Sequence, residues 1–138
     1  MTVSATFRAP WFARNPHIQT LWGKFVSPEP PVEASRETWQ TPDGDEVIII
    51  RSGQDLRDAP RFVLFHGLEG TERSHYVPSL FRAAAARGWG ADMLLWRSCG
   101  GQNNRAARFY HSGETGDAVW FLQTLAERYP DAPLIACG

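Results

Sequence analysis

Two stretches of this sequence hold the residue types that acyl-transfer chemistry needs. The first is His66-Gly67-Leu68-Glu69-Gly70, directly behind the apolar run Arg61 to Phe65. An acyl-transfer intermediate carries an oxyanion, and backbone N–H groups aimed at it are typically worth about 10²–10³ each in rate. A glycine just after a buried strand lets the backbone turn and free such a donor. The N–H of Leu68 is the expected donor, with His66 and Gly67 completing the oxyanion loop. The second stretch is Pro133-Leu134-Ile135-Ala136-Cys137-Gly138, an apolar strand running into a glycine. A nucleophilic serine is presented on a strand-to-helix turn of pattern G-x-S-x-G. Gly138 matches its first glycine, and the sequence ends there. The expectation is a sequence cut just before its nucleophile, holding no catalytic Ser-Asp-His triad of its own.

Other polar residues gather in loops that follow apolar strands. Glu69, Gly70, Cys99, Asn104, Tyr110 and His111 are expected to line the cleft beside the oxyanion loop. Cys99 with His111 as base would make a thiolate nucleophile only if the two met within hydrogen-bond reach. A small buried cysteine in a tight loop is the plainer reading. Ser98 and Ser112 sit in no strand-to-helix elbow. His66, His75, His111 and Glu69 do not have the spacing of a zinc motif, so no metal is expected. His111 and Tyr110 are expected to hydrogen-bond the backbone near the cleft. Gly100-Gly101-Gln102-Asn103-Asn104 matches neither phosphate-binding glycine pattern and reads as turn chemistry.

The bulk composition narrows the class. The chain has 138 residues, 43% hydrophobic and 21% charged, enough for one small globular unit. A net charge of −1 supplies no field for nucleic acid or an anionic membrane. Its basic residues are 13 arginines and a lone Lys24. Cys99 and Cys137 form no disulfide or zinc pattern, which fits a reducing, cytoplasmic setting. Residues 1–9 do not read as a signal peptide. No apolar run approaches the roughly 20 residues that cross a bilayer.

The elements that must position these groups are legible in order. Residues 1–34 hold five prolines among Trp11, Phe12, Trp22 and Phe25, and read as an arm packed across a body, with one short helix near His17 to Trp22. Residues 35–138 form the body. Arg36–Thr41 and Glu46–Arg51 read as strands flanking the turn Pro42-Asp43-Gly44-Asp45. Residues 54–60 form a polar loop. Arg61–Phe65, Ala91–Trp96 and Leu134–Cys137 read as buried strands. Ser74–Arg87 carries a helical stripe of Val77, Leu80, Phe81, Ala84 and Ala85, closed by Gly88. Ser112–Tyr129 is a second helix, with Ser112 and Thr115 or Glu114 at its start and Pro130 behind it. Glu114 and Asp117 lie in its first turns, where carboxylates favour the macrodipole. Strand-helix alternation predicts an α/β fold: a mostly parallel sheet with an antiparallel N-terminal hairpin. The final strand is expected to be central in the sheet, which would leave this chain with an open apolar edge.

Several motifs together resemble one family. Asn15-Pro16-His17-Ile18-Gln19-Thr20-Leu21-Trp22, Thr41-Pro42-Asp43-Gly44-Asp45, His66-Gly67-Leu68-Glu69-Gly70, and Tyr110-His111-Ser112-Gly113-Glu114-Thr115 with Asp117 follow one another as in the N-terminal part of the YheT-like α/β-hydrolases. These are related to the eukaryotic abhydrolase-domain lipases. The resemblance implies an incomplete α/β-hydrolase fold and hydrolysis of carboxylic esters or acylglycerols by a serine in the complete enzyme. It implies no cofactor, a small-molecule ester or lipid substrate, and a complementing C-terminal half that supplies the triad. Only the oxyanion loop carries over to this chain, which alone is expected to be inactive. The family has R-G-C-S-G where this sequence has Arg97-Ser98-Cys99-Gly100-Gly101.

Overall fold

The computed structural model describes residues 8–25, 32–53 and 58–138. A single 3-10 turn at Trp11–Ala13 leads into helix α1, Pro16–Phe25. Asn15 caps α1 by accepting the His17 N–H at 2.9 Å, and Pro16 stands at the first helical position, where no N–H is needed. The ring of Phe12 lies 4.8 Å from that of Trp22. The aromatics of this arm are less buried than expected: Trp11 is 81% exposed, and Phe12 and Trp22 are 40% exposed. Their described ring partners are one another, not the body. The Phe25 side chain and residues 1–7 and 26–31 of the expected arm, like residues 54–57 of the expected loop, lie outside the described residues.

Five strands follow: β1 Ser35–Gln40, β2 Glu46–Ser52, β3 Arg61–Phe65, β4 Gly90–Leu95 and β5 Leu134–Cys137. They form one sheet in the order β1-β2-β4-β3-β5. β1 pairs β2 antiparallel, with Thr38 opposite Ile48, and β2 pairs β4 antiparallel. β3 pairs both β4 and β5 in parallel. The α/β class is as expected, with the parallel part confined to β4, β3 and β5. β5 occupies an edge of the described sheet, with Ile135, Ala136 and Cys137 exposed, which is the open strand edge expected of this chain.

Burial on both faces explains the uninterrupted apolar run Val47-Ile48-Ile49-Ile50. Successive side chains alternate across a strand. Val47 and Ile49 therefore join Val63, Leu94, Phe121 and Leu125 under helix α3, Gly116–Arg128. Ile48 and Ile50 join Leu64, Met93, Phe81 and Ala84 under helix α2, Val77–Ala85.

Both helices start later than the sequence suggested. Pro78 stands in the first turn of α2, where its missing N–H costs nothing, whereas a helix begun at Ser74 would need that N–H, and residues 74–76 form turns instead. The Ser74 hydroxyl accepts the Thr71 N–H at 3.1 Å. Gly113 and the turn in which the Glu114 N–H donates to the His111 carbonyl at 2.9 Å delay α3 to Gly116. Thr115 makes no side-chain cap, and the Glu114 carboxylate takes that part by accepting the Asp117 N–H at 3.2 Å.

A buried ionic cluster joins the strand ends that begin β3 and β4. Asp92, on the central strand β4 with no exposed surface, receives Arg51 Nε at 2.7 Å and Arg61 Nε at 2.6 Å. The Tyr129 hydroxyl bonds Arg51, and its ring lies 4.2 Å from the Arg61 guanidinium. This cluster lies at the end of the parallel strands remote from the loops that follow them. It holds β2, β3, β4 and the end of α3 together.

Candidate active site

The loops that follow β3 and β4 meet at the carboxyl end of the parallel strands, where sheets of this kind place their ligands. His66 organises the meeting. It is 5% exposed, and its Nε2 accepts the Trp96 N–H at 3.0 Å. A ring nitrogen that accepts an N–H carries the lone pair, so the proton is on Nδ1, which donates to the Gly67 carbonyl at 2.7 Å. Burial pushes the His66 pKa below its usual 6.5, which keeps the ring neutral. The Trp96 indole N–H donates to the His66 carbonyl at 2.9 Å. His66 thus ties two loops together through both its ring and its backbone.

The tether sets the orientation of the next peptide. The Gly67 carbonyl is drawn in by His66 Nδ1 and by the Gly70 N–H at 3.1 Å. In a trans peptide the following N–H points the opposite way. The Leu68 N–H therefore faces outward and has no acceptor among the described residues. The Leu68 side chain is 88% exposed. Glu69 follows in the left-handed region at φ 52°, a conformation a non-glycine residue adopts only when held there, and its N–H donates to the Tyr110 hydroxyl at 2.8 Å. Gly70 is fixed by close packing, since a Cβ there would stand 2.7 Å from His66 Cβ and 2.8 Å from Nδ1. Gly70→Ala is expected to push the imidazole off its bonds and destabilise the chain by roughly 1–3 kcal/mol. A urea melt reads this, and an unchanged midpoint would show that the loop accommodates the methyl.

Four expected cleft residues come together: Glu69, Gly70, Cys99 and Tyr110. The Tyr110 ring stacks on Trp96 at 6.4 Å and 6°, and meets the His66 ring edge-on at 6.4 Å. Cys99 donates its backbone N–H to the Trp96 carbonyl at 2.8 Å, and burial raises its thiol pKa despite a hydrogen bond from Tyr110. A raised pKa leaves the thiol protonated, against a nucleophilic role. The other two expected cleft residues serve the loops themselves. Asn104 ties residues 98–108 together, donating from Nδ2 to the carbonyls of Ala106 at 2.7 Å and Arg108 at 2.5 Å, and bonding the Ser98 hydroxyl. His111 is exposed, and its Nδ1 accepts the Gly113 N–H at 3.1 Å, a turn contact. Among the described residues no group of three or more His, Cys, Asp or Glu is placed to hold a metal ion.

The chain is 39% identical over 126 residues to YheT of Escherichia coli (strain K12), a candidate esterase by name, covering 90% of this chain and 37% of YheT. The chain is YheT-like in sequence and carries part of an α/β-hydrolase fold. It spans about a third of the length of the curated relatives it matches. Solved structures agree on the fold. An α/β serine hydrolase homologue from Coxiella burnetii superposes with a TM-score of 0.59 at 14% identity, over 74% of this chain and 50% of that one. An α/β-hydrolase of unknown function from Agrobacterium tumefaciens superposes with a TM-score of 0.58 at 20% identity, over 74% of this chain and 48% of that one. No family model matches the chain.

Two features of this YheT-like chain lie outside what its sequence suggested. Trp96 reads only as the end of an apolar strand, yet it carries both bonds to His66. Arg97, 1% exposed, is the hub of a carboxylate network. It grips Asp117 with two bonds, of 2.7 and 2.8 Å, and reaches Asp45 at 3.1 Å and Asp43 at 2.9 Å. Asp45 also accepts backbone N–H groups of Glu46, Arg105 and Ala106 at 2.9, 2.9 and 3.1 Å. The clue was present: the hairpin turn Asp43-Gly44-Asp45 and the helix start at Asp117 are acidic motifs needing a cation between them. Ser98, next in chain, sits at φ 66°, at the position where the family pattern has glycine.

The network predicts acid sensitivity in two windows. Arg97 and then Thr41 hydrogen-bond Asp43 and lower its pKa to about 2. Burial opposes ionisation of Asp45, but the N–H bonds from Arg105, Glu46 and Ala106 outweigh it and hold that pKa at about 2. Both values lie below the ordinary 3.8, so this stability is complete above about pH 4 and is lost as pH falls towards 2. His66, depressed from 6.5, contributes an earlier loss as pH falls below that value. Urea midpoints measured from pH 8 to 2 should show a first decline below pH 6.5 and a steeper one below pH 4. A midpoint constant from pH 7 to 3 would contradict the assignment of His66.

Proposed function

We propose that this chain forms the oxyanion-binding front of a serine-dependent carboxylic ester hydrolase. The observation that carries the reading is the Leu68 N–H, turned outward by the tether on the Gly67 carbonyl and without an acceptor among the described residues. The esterase name of YheT supports it. In this reading the serine oxygen attacks the ester carbonyl carbon while a histidine takes its proton. The carbonyl oxygen becomes an oxyanion and accepts the Leu68 N–H and a second donor beside the serine. The intermediate collapses, the alcohol leaves with the proton from the histidine, and water releases the acid by the same steps. His66 is a positioning residue here, because its ring is neutral and both nitrogens are engaged.

The serine, its histidine and its aspartate are supplied by polypeptide that continues a YheT-length protein or by a complementing C-terminal half. Residues 1–34 act as an arm on the hydrolase unit formed by residues 35–138, and acylglycerol-like lipids are within the substrate class. The reaction takes place in the cytoplasm, which fits two free cysteines. No helix among the described residues is long and apolar enough to cross a membrane.

The test is hydrolysis of p-nitrophenyl esters by a YheT-length protein carrying these residues, with stoichiometric inactivation by a fluorophosphonate. The 138-residue chain alone should neither hydrolyse nor label. A folded YheT-length protein that does neither would overturn the reading.

A further inference from the structure

The oxyanion loop is a turn held in an unfavourable form. The Gly70 N–H closes it on the Gly67 carbonyl at 3.1 Å, which puts Leu68 and Glu69 at its two central positions. A positive φ at the second central position is the signature of a type II turn, where glycine is the usual residue. Here that residue is Glu69, at φ 52°. A side chain in this region costs free energy and persists only where surrounding contacts hold it. The ordinary alternative, a type I turn, rotates the peptide between Leu68 and Glu69 by about half a revolution. It relieves the strain and rearranges the backbone immediately behind the Leu68 donor.

A contact from the second loop opposes that relaxation. The Glu69 N–H donates to the Tyr110 hydroxyl at 2.8 Å, across 41 positions of chain. Rotating the peptide would withdraw this N–H and bring the Leu68 carbonyl towards the hydroxyl. Tyr110 donates its own hydrogen bond to the Cys99 sulfur, so it meets Glu69 as an acceptor. Its ring is fixed independently by stacking on Trp96 and meeting His66 edge-on. Trp96 also makes both bonds to His66, which orients the peptide before Leu68. The peptides on either side of the donor residue are therefore set by one indole platform.

We propose that Tyr110 is a positioning residue of the ester-hydrolase site: its hydroxyl holds Glu69 in the left-handed region and keeps the 67–70 turn in the form that presents the Leu68 N–H. This role rests on the ester-hydrolase reading. It also accounts for Cys99, whose sulfur orients the hydroxyl instead of attacking substrate.

Tyr110→Phe removes the acceptor and keeps the stacked ring. In a YheT-length protein it should lower kcat on p-nitrophenyl esters about tenfold and change KM less than about twofold, because molecules with a relaxed turn still bind substrate. Glycine adopts this φ without strain, so in a Glu69→Gly background the same change should cost less than about threefold. A tyrosine that only packs would cost the same in both backgrounds. Should Tyr110→Phe fail to fold, Cys99→Ala frees the hydroxyl to turn to the Leu68 carbonyl and should lower kcat in smaller measure, with Cys99→Ser restoring it. Amide exchange in the 138-residue chain reads the contact without catalysis. The Glu69 amide should exchange at least about tenfold faster in Tyr110→Phe, while the Leu68 amide keeps its rate. Equal kcat losses in the two backgrounds, or a Glu69 amide indifferent to the hydroxyl, overturn the assignment even where esters are hydrolysed. Faster Glu69 exchange in a protein that hydrolyses no ester overturns the hydrolase reading and leaves Tyr110 as the support of the turn.

Discussion

Replacing Arg97 with alanine is expected to destabilise the chain by about 3–5 kcal/mol, a large share of the roughly 5–15 kcal/mol by which domains are stable. The reason is what remains behind. Asp45 and Asp117 have side chains 1% and 3% accessible, and Arg97 is the cation that both contact inside the fold. Removing it leaves two buried carboxylates near each other, with Asp43 at the rim. The loss is also structural, because the guanidinium joins three elements: the β1–β2 turn through Asp43 and Asp45, the loop after β4, and the first turn of α3 through Asp117. Arg97→Lys keeps the charge but gives up the two-pronged grip on Asp117, so its loss should be smaller yet clear. Guanidinium unfolding of the three proteins at pH 7 measures this. A loss below about 1 kcal/mol for Arg97→Ala would mean that water enters and solvates the carboxylates.

Removing one backbone hydrogen should have the largest effect on activity. In a YheT-length protein, Leu68→Pro is expected to lower kcat by about 10²–10³ while KM changes far less, because the lost donor bonds the oxyanion of the transition state rather than the ester. Leu68 suits the test. Its side chain is 88% exposed, and its N–H has no acceptor among the described residues, so proline removes no described internal bond. Leu68→Ala retains the N–H and should keep a near-normal rate. Equal rates for the alanine and proline variants would remove Leu68 from the oxyanion site.

Local pattern made most elements of this chain legible. β3 and β5 match their sequence boundaries, because short apolar runs between turn residues have few alternatives. The hairpin follows from Pro42-Asp43-Gly44-Asp45, where Gly44 takes φ 79° as such a turn requires. The helix starts were misplaced by three and four residues, at Val77 and Gly116, because Pro78 and the Glu114 carboxylate outweigh the apolar stripes that suggested earlier starts. Which strands become neighbours, β2 beside β4 and β5 beside β3, depends on contacts between segments far apart in sequence, which no local pattern encodes.

The candidate site divides in the same way. The sequence by itself determined that a glycine-bearing loop follows a buried strand, and that small and polar residues follow the next one. Those are properties of neighbouring residues, governed by backbone freedom and burial. Only the tertiary structure decided the direction of the Leu68 N–H, because it depends on His66 reaching Trp96 across 30 residues of chain. Likewise Arg97 is an unremarkable arginine until folding brings Asp43, Asp45 and Asp117 around it, from as far as 54 residues away. Desolvation turns those ordinary charges into a linked network, and desolvation is a property of the packed chain, not of any segment of it.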